Sequence, residues 1–174
     1  MQKEFLLNSI TKEMKLIRRI STLVPQDQVD FRPKEGMRST MELLHYLCRI
    51  GTGMISYWER TDGADPRTHF AELNVNVKEI ILAQVPVEMD KQIALIEKLF
   101  SNFSEAELYT KEVTYPWGEK ALLGQALIET SIKYLTSYKL QLFVNLKMST
   151  DLKLGTPDLW RKTEIGEIGI RDKE

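Results

Sequence analysis

The chain contains few of the residues from which disulfides and metal centres are built. Its 174 residues include one cysteine and two histidines. The single cysteine, Cys48, excludes an intramolecular disulfide and suits a reducing compartment, so the sequence predicts a cytoplasmic protein. Cys and His are the commonest ligands of structural zinc, and so few of them leave almost no material for a zinc site of that type.

An excess of positive charge and long apolar runs are also missing. Lys and Arg number 24 against 25 Asp and Glu, which gives a net charge of -1. Without an overall basic field, nucleic-acid binding through phosphate neutralisation is not expected. No run approaches the roughly 18 apolar residues that cross a bilayer, and the N-terminus carries charges throughout, unlike a signal peptide. We therefore expect a single domain over residues 1–174, with no nucleic-acid or membrane partner.

The residues that are present favour an all-α fold, because apolar side chains recur at spacings of three and four. The first stripe covers residues 7–24 and ends at Pro25. A second helix is predicted to begin near Ser39, because Ser39 and Glu42 have the spacing of a capping box.

Two glycines interrupt the apolar pattern of the second helix. Gly51 and Gly53 each cost up to about 1 kcal/mol relative to alanine inside a helix. Neither belongs to a phosphate-binding loop, since no strand precedes them and the P-loop spacing is absent. Close approach of a neighbouring helix is the simplest explanation.

The middle of the chain is harder to assign. Residues 61–76 lack periodicity and are predicted to form a loop. Asn76 and Glu79 have capping-box spacing and are predicted to open a third helical region. Pro86 is expected to interrupt this region, leaving a long helix over roughly residues 87–102.

The last third of the chain carries the longest helical pattern. Ser104 and Glu107 are placed to cap a short extra turn. The sequence VTYPWGEK, residues 113–120, predicts a loop with a short extended arm. A long helix is then predicted from about residue 119 to residue 148.

Four long amphipathic helices predict an up-and-down four-helix bundle over about residues 3–148. The remainder, residues 149–174, lacks helical periodicity beyond Gly155. We expect it to form an irregular C-terminal arm that packs over the bundle or contributes to a subunit contact.

Few side chains could carry chemistry. Cys48 follows His45 by three residues, which makes them neighbours on one helix, but a buried structural thiol is favoured over a reactive pair. Glu42 and His45 have the Glu-x-x-His spacing of di-iron bundles, yet no second copy exists. His69 lies beside Arg67 in the predicted loop and is expected at the surface, from where it could also fold back as a ligand.

Several segments resemble the DinB/YfiT-like family of metal-dependent enzymes. The first are residues 30–33 (DFRP) and 39–46 (STMELLHY), similar to an Arg-Pro segment followed by a helix with a Leu-Leu-His sequence. A later one is residues 134–141 (YLTSYKLQ), where family members have His-x-x-x-His-Arg-x-Gln. With the Trp-Gly pair at 117–118, the resemblance spans roughly residues 5–148.

The resemblance implies a four-helix bundle, usually dimeric, with a divalent metal held by three histidines. Characterised members use the metal to activate a low-molecular-weight thiol for transfer or isomerisation. By position, His45 corresponds to the first ligand, Tyr134 and Tyr138 occupy the other two positions, and Gln141 follows. Phenols with a pKa near 10 are poor ligands for zinc or nickel, although tyrosine can bind iron.

Three hypotheses follow. In the first, a DinB-like protein has lost the standard metal site and binds a small molecule without a cofactor; its pocket contains His45, Tyr134, Tyr138 and Gln141 as a polar cluster. In the second, the chain is a thiol S-transferase or isomerase that uses zinc, nickel or iron with an unusual ligand set. In the third, it is a dimerisation module. The resemblance implies a homodimer in each case.

Overall fold

The computed structural model describes residues 2–60 and 65–161 and is mostly helical, which confirms the all-α class. The helices are α1 (Gln2–Ser21), α2 (Thr40–Glu59), α3 (Pro66–Val77), α4 (Val85–Ser101), α5 (Glu107–Thr110), α6 (Leu123–Leu127), α7 (Lys133–Ser149) and α8 (Thr156–Trp160). Strands β1 (Glu112–Thr114) and β2 (Lys120–Leu122) form an antiparallel hairpin, and a π-helical segment (Ile128–Ile132) joins α6 to α7. Within the described ranges, no helix has both the length and the apolar character needed to span a bilayer.

Helix α2 begins where the capping pattern predicts. The Ser39 hydroxyl accepts a hydrogen bond from the backbone N–H of Glu42 at 3.2 Å, and the Glu42 carboxylate accepts one from the backbone N–H of Ser39 at 2.8 Å. Two of the N–H groups that a helix start leaves without partners are thereby satisfied.

Replacing Ser39 with alanine is expected to lower the free energy of unfolding by about 1 kcal/mol, because the N–H of Glu42 loses its acceptor. Urea unfolding measures the difference. Ser9→Ala is the control, since exposed Ser9 lies inside α1 and bonds only to the carbonyl of Phe5. Equal stability of the two variants would contradict a stabilising cap at Ser39.

The loop predicted for residues 61–76 is wrong from residue 66 onward. Asp65 caps α3 by accepting from the backbone N–H of Thr68, and Pro66 occupies the first turn. The apolar pattern did not reveal this helix because only His69 and Val77 are buried on it. The capping box predicted to start at Asn76 is also wrong, since α3 is still running there.

The predictions for the next two helices agree more closely with the structure. The long helix expected near residues 87–102 is α4, although Pro86 lies in its first turn rather than interrupting a longer region. The short turn capped by Ser104 is confirmed: its hydroxyl accepts from the backbone N–H of Glu107 at 3.2 Å, at the start of α5.

The last long helix differs from its prediction at its start. Residues 120–122 belong to β2, and the helix begins at Leu123 rather than near residue 119. Five residues later the π segment adds an extra residue to a turn, which changes the face on which the following side chains emerge.

Contacts along α1 show its direction relative to α4. Lys3 bonds to the carbonyl of Phe103, whereas Arg18 pairs with Asp90 at 2.7 Å, so α1 and α4 are antiparallel.

Helices α2 and α4 run in the same direction. Gln92 donates to the carbonyl of Leu47 at 3.0 Å, and Asn102 donates to Glu59 at 2.9 Å, so higher residue numbers on one helix meet higher numbers on the other. An up-and-down bundle alternates the direction of consecutive long helices. The predicted up-and-down order is therefore wrong at this point, where α3 carries the chain between two parallel helices.

The two glycines of α2 lie where side chains of neighbouring helices come close to its backbone, as predicted. A Cβ at Gly51 would lie 2.7 Å from the sulfur of Met14 on α1, and one at Gly53 would lie 3.2 Å from the ring of Phe70 on α3. Glycine here allows α2 to pack closely between α1 and α3.

Helix α8 corrects the prediction of a C-terminal arm without helix. It contacts α1 and α7, and Asp158 pairs with buried Arg19 at 3.1 Å. Nearby, the ammonium group of Lys139 lies 2.8 Å from the carboxylate of Glu13 and 4.1 Å from the ring of Trp160. The rest of the predicted arm, residues 162–174, lies outside the described residues.

Candidate functional site

His45 opens onto a cavity of about 370 Å³ between α2 and α3. We name this the cationic cavity, and its lining residues are Arg38, Glu42, His45, Tyr46, Arg49, Asn74, Val77 and Lys78. Most of these residues recur every three or four positions, so one face of α2 supplies one wall and the C-terminal end of α3 supplies the other.

The hydrogen bond of His45 fixes the role of each ring nitrogen. Nε2 lies 2.8 Å from the carbonyl oxygen of Ile80. A carbonyl can only accept, so Nε2 must carry the proton of this bond. In the neutral ring, Nδ1 is then the nitrogen that is left to accept a hydrogen bond.

Positive charge dominates the cationic cavity. Within residues 2–60 and 65–161, no carboxylate forms an ion pair with Arg38, Arg49 or Lys78. The carboxylate of Glu42 is held by Arg32 through contacts of 2.6 and 2.8 Å. The hydrogen bonds from Arg32 and from the backbone of Ser39 lower the pKa of Glu42 to about 2, and the charges of Arg32 and Arg38 act in the same direction.

Two of the cations lie against the ring of Tyr46. The guanidinium carbons of Arg38 and Arg49 are 4.3 and 4.5 Å from its centroid. Arg49 is half-buried, and the loss of water lowers its pKa from the ordinary value. An anion in the cavity would replace the lost hydration of Arg49 with a charge-assisted contact.

Tyr134 and Tyr138, the two tyrosines predicted to belong to the site, lie on α7, on the side that faces α2. The ring of Tyr138 meets Tyr46, the neighbour of His45, edge-on with centroids 4.6 Å apart. Tyr134 lines an adjoining cavity. Gln141, which is half-buried in the next turn of α7, lines neither cavity.

The donor set does not fit the divalent metal that the resemblance implies. Burial, and then the neighbouring Tyr138, raise the pKa of Tyr134, which occupies one of the expected ligand positions, and this disfavours the phenolate that a metal would need. Three cations close to His45 repel a further cation. Among the described residues, no group of three or more His, Cys, Asp or Glu is arranged to hold a metal ion.

Cys48 and His69 are both buried and are assigned structural roles. Burial raises the pKa of the Cys48 thiol to about 12, which agrees with the prediction of a buried structural thiol. The surface position predicted for His69 is wrong: it is buried on α3, where Nε2 donates to the carbonyl of Gly53 at 3.0 Å. Nδ1 lies 3.1 Å from the guanidinium of Arg60, from which it accepts.

Two other cavities bear on the choice of a site. The aromatic cavity, of about 230 Å³, adjoins the cationic cavity and is lined by Tyr46, Arg49, Ile50, Gly53, Met54, Phe70, Pro116, Trp117 and Tyr134. The largest cavity described, of about 700 Å³, lies elsewhere, between the start of α1, α5 and the π segment. Its charged side chains are Glu129 and Lys133, which lie 4.0 Å apart. Its other polar side chains include Gln2 and Gln125, and its two charges are of opposite sign, so it is a weaker candidate for the recognition of an anion.

Comparison with known proteins gave no match to a family model, to a curated protein or to a solved structure.

Proposed function

We propose that the chain is a metal-independent binding protein for a small anionic molecule, which is held in the cationic cavity. One observation carries the proposal: Arg38, Arg49 and Lys78 converge beside His45 without carboxylate partners among the described residues. Glu42 is the one carboxylate in the lining, and cations that outnumber carboxylates in a concave site favour an anionic ligand.

The cavity offers several kinds of contact to an anion. The guanidinium groups of Arg38 and Arg49 can bind carboxylate or phosphate oxygens in pairs, and Lys78 supplies a mobile point charge. The amide of Asn74 can donate to the same ligand. Because Arg49 is half-buried, its contact with an anion is screened by less water than a surface ion pair.

Arg49→Gln is expected to weaken binding of inorganic phosphate at least tenfold, since a charge-assisted hydrogen bond contributes about 1.5–3 kcal/mol. Isothermal titration calorimetry at low ionic strength measures the affinity. The matched control is Arg67→Gln, which removes an exposed arginine of α3 that does not line the cavity. The control should bind phosphate as the unchanged protein does.

Three results would overturn the proposal. One is the absence of saturable phosphate binding by the unchanged protein. Another is equal affinity in the Arg49→Gln variant. The third is one zinc, nickel or iron per chain, in protein purified without chelator or metal-affinity tag, that is lost in His45→Ala. That last result would instead favour the metal-dependent thiol transferase or isomerase.

The sequence motifs support a finer proposal for the fold. We propose that the long helices form a DinB/YfiT-like four-helix bundle in which the metal site has degenerated, on the strength of residues 30–33, 39–46 and 134–141. The homodimer that this resemblance implies stays a prediction, which sedimentation equilibrium tests directly.

A further inference from the structure

The cationic and aromatic cavities form successive parts of one groove. Tyr46 and Arg49 line both. Since α3 runs antiparallel to α2, Asn74 borders the first cavity and Phe70, one turn earlier on α3, borders the second. Along the wall formed by residues 45–54, α2 rises about 13 Å, which is the length over which a ligand could contact both cavities.

The aromatic cavity has the size and lining of a site for a ring. Four elements contribute aromatic side chains to it, which are Tyr46 on α2, Phe70 on α3, Trp117 in the hairpin and Tyr134 on α7. Gly53 leaves room along α2, because a Cβ there would lie 3.2 Å from the ring of Phe70. A cavity of about 150 Å³ is sufficient for benzene, and this one measures about 230 Å³.

Trp117 is exposed and yet held in place. More than half of its surface, 54%, is accessible. Its ring stacks on Tyr115 with centroids 4.5 Å apart and planes 6° apart, and its Nε1 donates to Glu119 at 3.0 Å. An aromatic side chain that is fixed before binding loses little freedom when a ligand stacks on it.

We infer that the ligand is an aromatic anion: a phosphate or carboxylate group in the cationic cavity, joined to a flat ring system in the aromatic cavity. This inference rests on the proposed function and adds an aromatic part to the anionic ligand. Arg49 and Tyr46 lie where the two halves of such a ligand meet.

Calorimetric titration with 1-naphthyl phosphate and with inorganic phosphate tests the inference. The naphthyl compound is expected to bind at least tenfold more tightly, because its ring stacks on aromatic side chains. Trp117→Ala should remove most of this advantage and leave the affinity for inorganic phosphate unchanged. Because Trp117 is largely exposed, its replacement is expected to leave the fold intact, which circular dichroism checks.

Tyr109→Ala is the matched control. Tyr109 is 50% exposed and lines the largest cavity, where a naphthyl ring could also bind. Equal affinities for the two phosphates, or a loss in Tyr109→Ala rather than in Trp117→Ala, would overturn the inference and leave the proposed anion site standing. Failure of both phosphates to bind would overturn the proposed function itself.

Titrations with 1-naphthoate and with acetate distinguish the two anionic groups. If the ring increases the affinity more between acetate and 1-naphthoate than between inorganic phosphate and 1-naphthyl phosphate, the anionic group is assigned as a carboxylate. The reverse result assigns a phosphate, and either result supports the inference. Absence of a gain from the ring in both pairs contradicts it.

Discussion

Glu13→Gln is expected to lower the free energy of unfolding by about 3–5 kcal/mol, because it leaves the ammonium group of Lys139 buried without its counter-charge. Lys139 is fully buried, and its ammonium lies 2.8 Å from the Glu13 carboxylate, although the two are poorly aligned for a hydrogen bond. The remaining cation–π contact with Trp160 offsets only part of the loss.

Proton release by Lys139 limits this cost. Burial lowers its pKa from the ordinary value of 10.5, and Glu13 partly opposes that shift. Deprotonating a lysine at pH 7 costs about 5 kcal/mol, at 1.36 kcal/mol for each of roughly 3.5 pH units. Between the lowered pKa of Lys139 in the folded variant and 10.5, the unfolded chain binds more protons than the folded variant, so stability should rise with pH over that interval.

Urea unfolding at pH 7 and pH 9.5 measures both effects, with Glu97→Gln as the control. Glu97 is exposed on α4 and forms no ion pair among the described residues, so its replacement should change stability by less than about 0.5 kcal/mol. A small loss in Glu13→Gln, or a large loss that is the same at both pH values, would contradict an uncompensated buried ammonium. Lys139→Met in the Glu13→Gln background should restore most of the stability.

Asp158→Asn is expected to lower the free energy of unfolding by about 3 kcal/mol, because Arg19 is 1% exposed and would keep its charge without a counter-ion. Arginine does not deprotonate near neutral pH, so this loss should persist at pH 9.5. The estimate lies at the lower end of the usual range because α8 has only five residues, and its detachment in the variant would let water reach Arg19.

Asp151→Asn provides the control, since exposed Asp151 lies shortly before α8 and forms no ion pair among the described residues. Urea unfolding gives the stability, and hydrogen exchange at the amide of Arg161, which bonds to the carbonyl of Pro157, reports detachment of α8. Unchanged stability and unchanged exchange in Asp158→Asn would show that the ion pair does not hold α8.

Local signals predicted the helices that they mark directly. The reciprocal bonds of Ser39 and Glu42 are formed within four residues, so their spacing was sufficient to place the start of α2. Helix α3 buries too few side chains to produce an apolar stripe, and the π segment has no sequence signature. The parallel course of α2 and α4 depends on contacts between distant residues, which periodicity does not report.

The same limits apply to the site. His45 was a candidate from its position, but Asn74 lies on α3, where the sequence predicted a loop. Lys78 directly follows that helix, at a point where the sequence predicted the start of a third helical region. The three cations could be recognised as one cluster only after α3 had been placed against α2. Arg49 lies one turn after His45 on α2, which is the one signal in the sequence that could have drawn attention to it.

The partners of α1 also determine when the chain can finish folding. Helix α1 packs against α4, α7 and α8, and its pairing of Arg19 with Asp158 spans 139 residues. At synthesis rates of about 5–20 residues per second, α1 leaves the ribosome many seconds before α7 and α8 exist. Helix α4 is available to cover part of α1 before then, but the contacts with α7 and α8 cannot form during that time, and closing such long loops slows folding. The face of α1 that contacts α7 and α8 therefore stays accessible to chaperones that bind apolar helices until those two helices have been made.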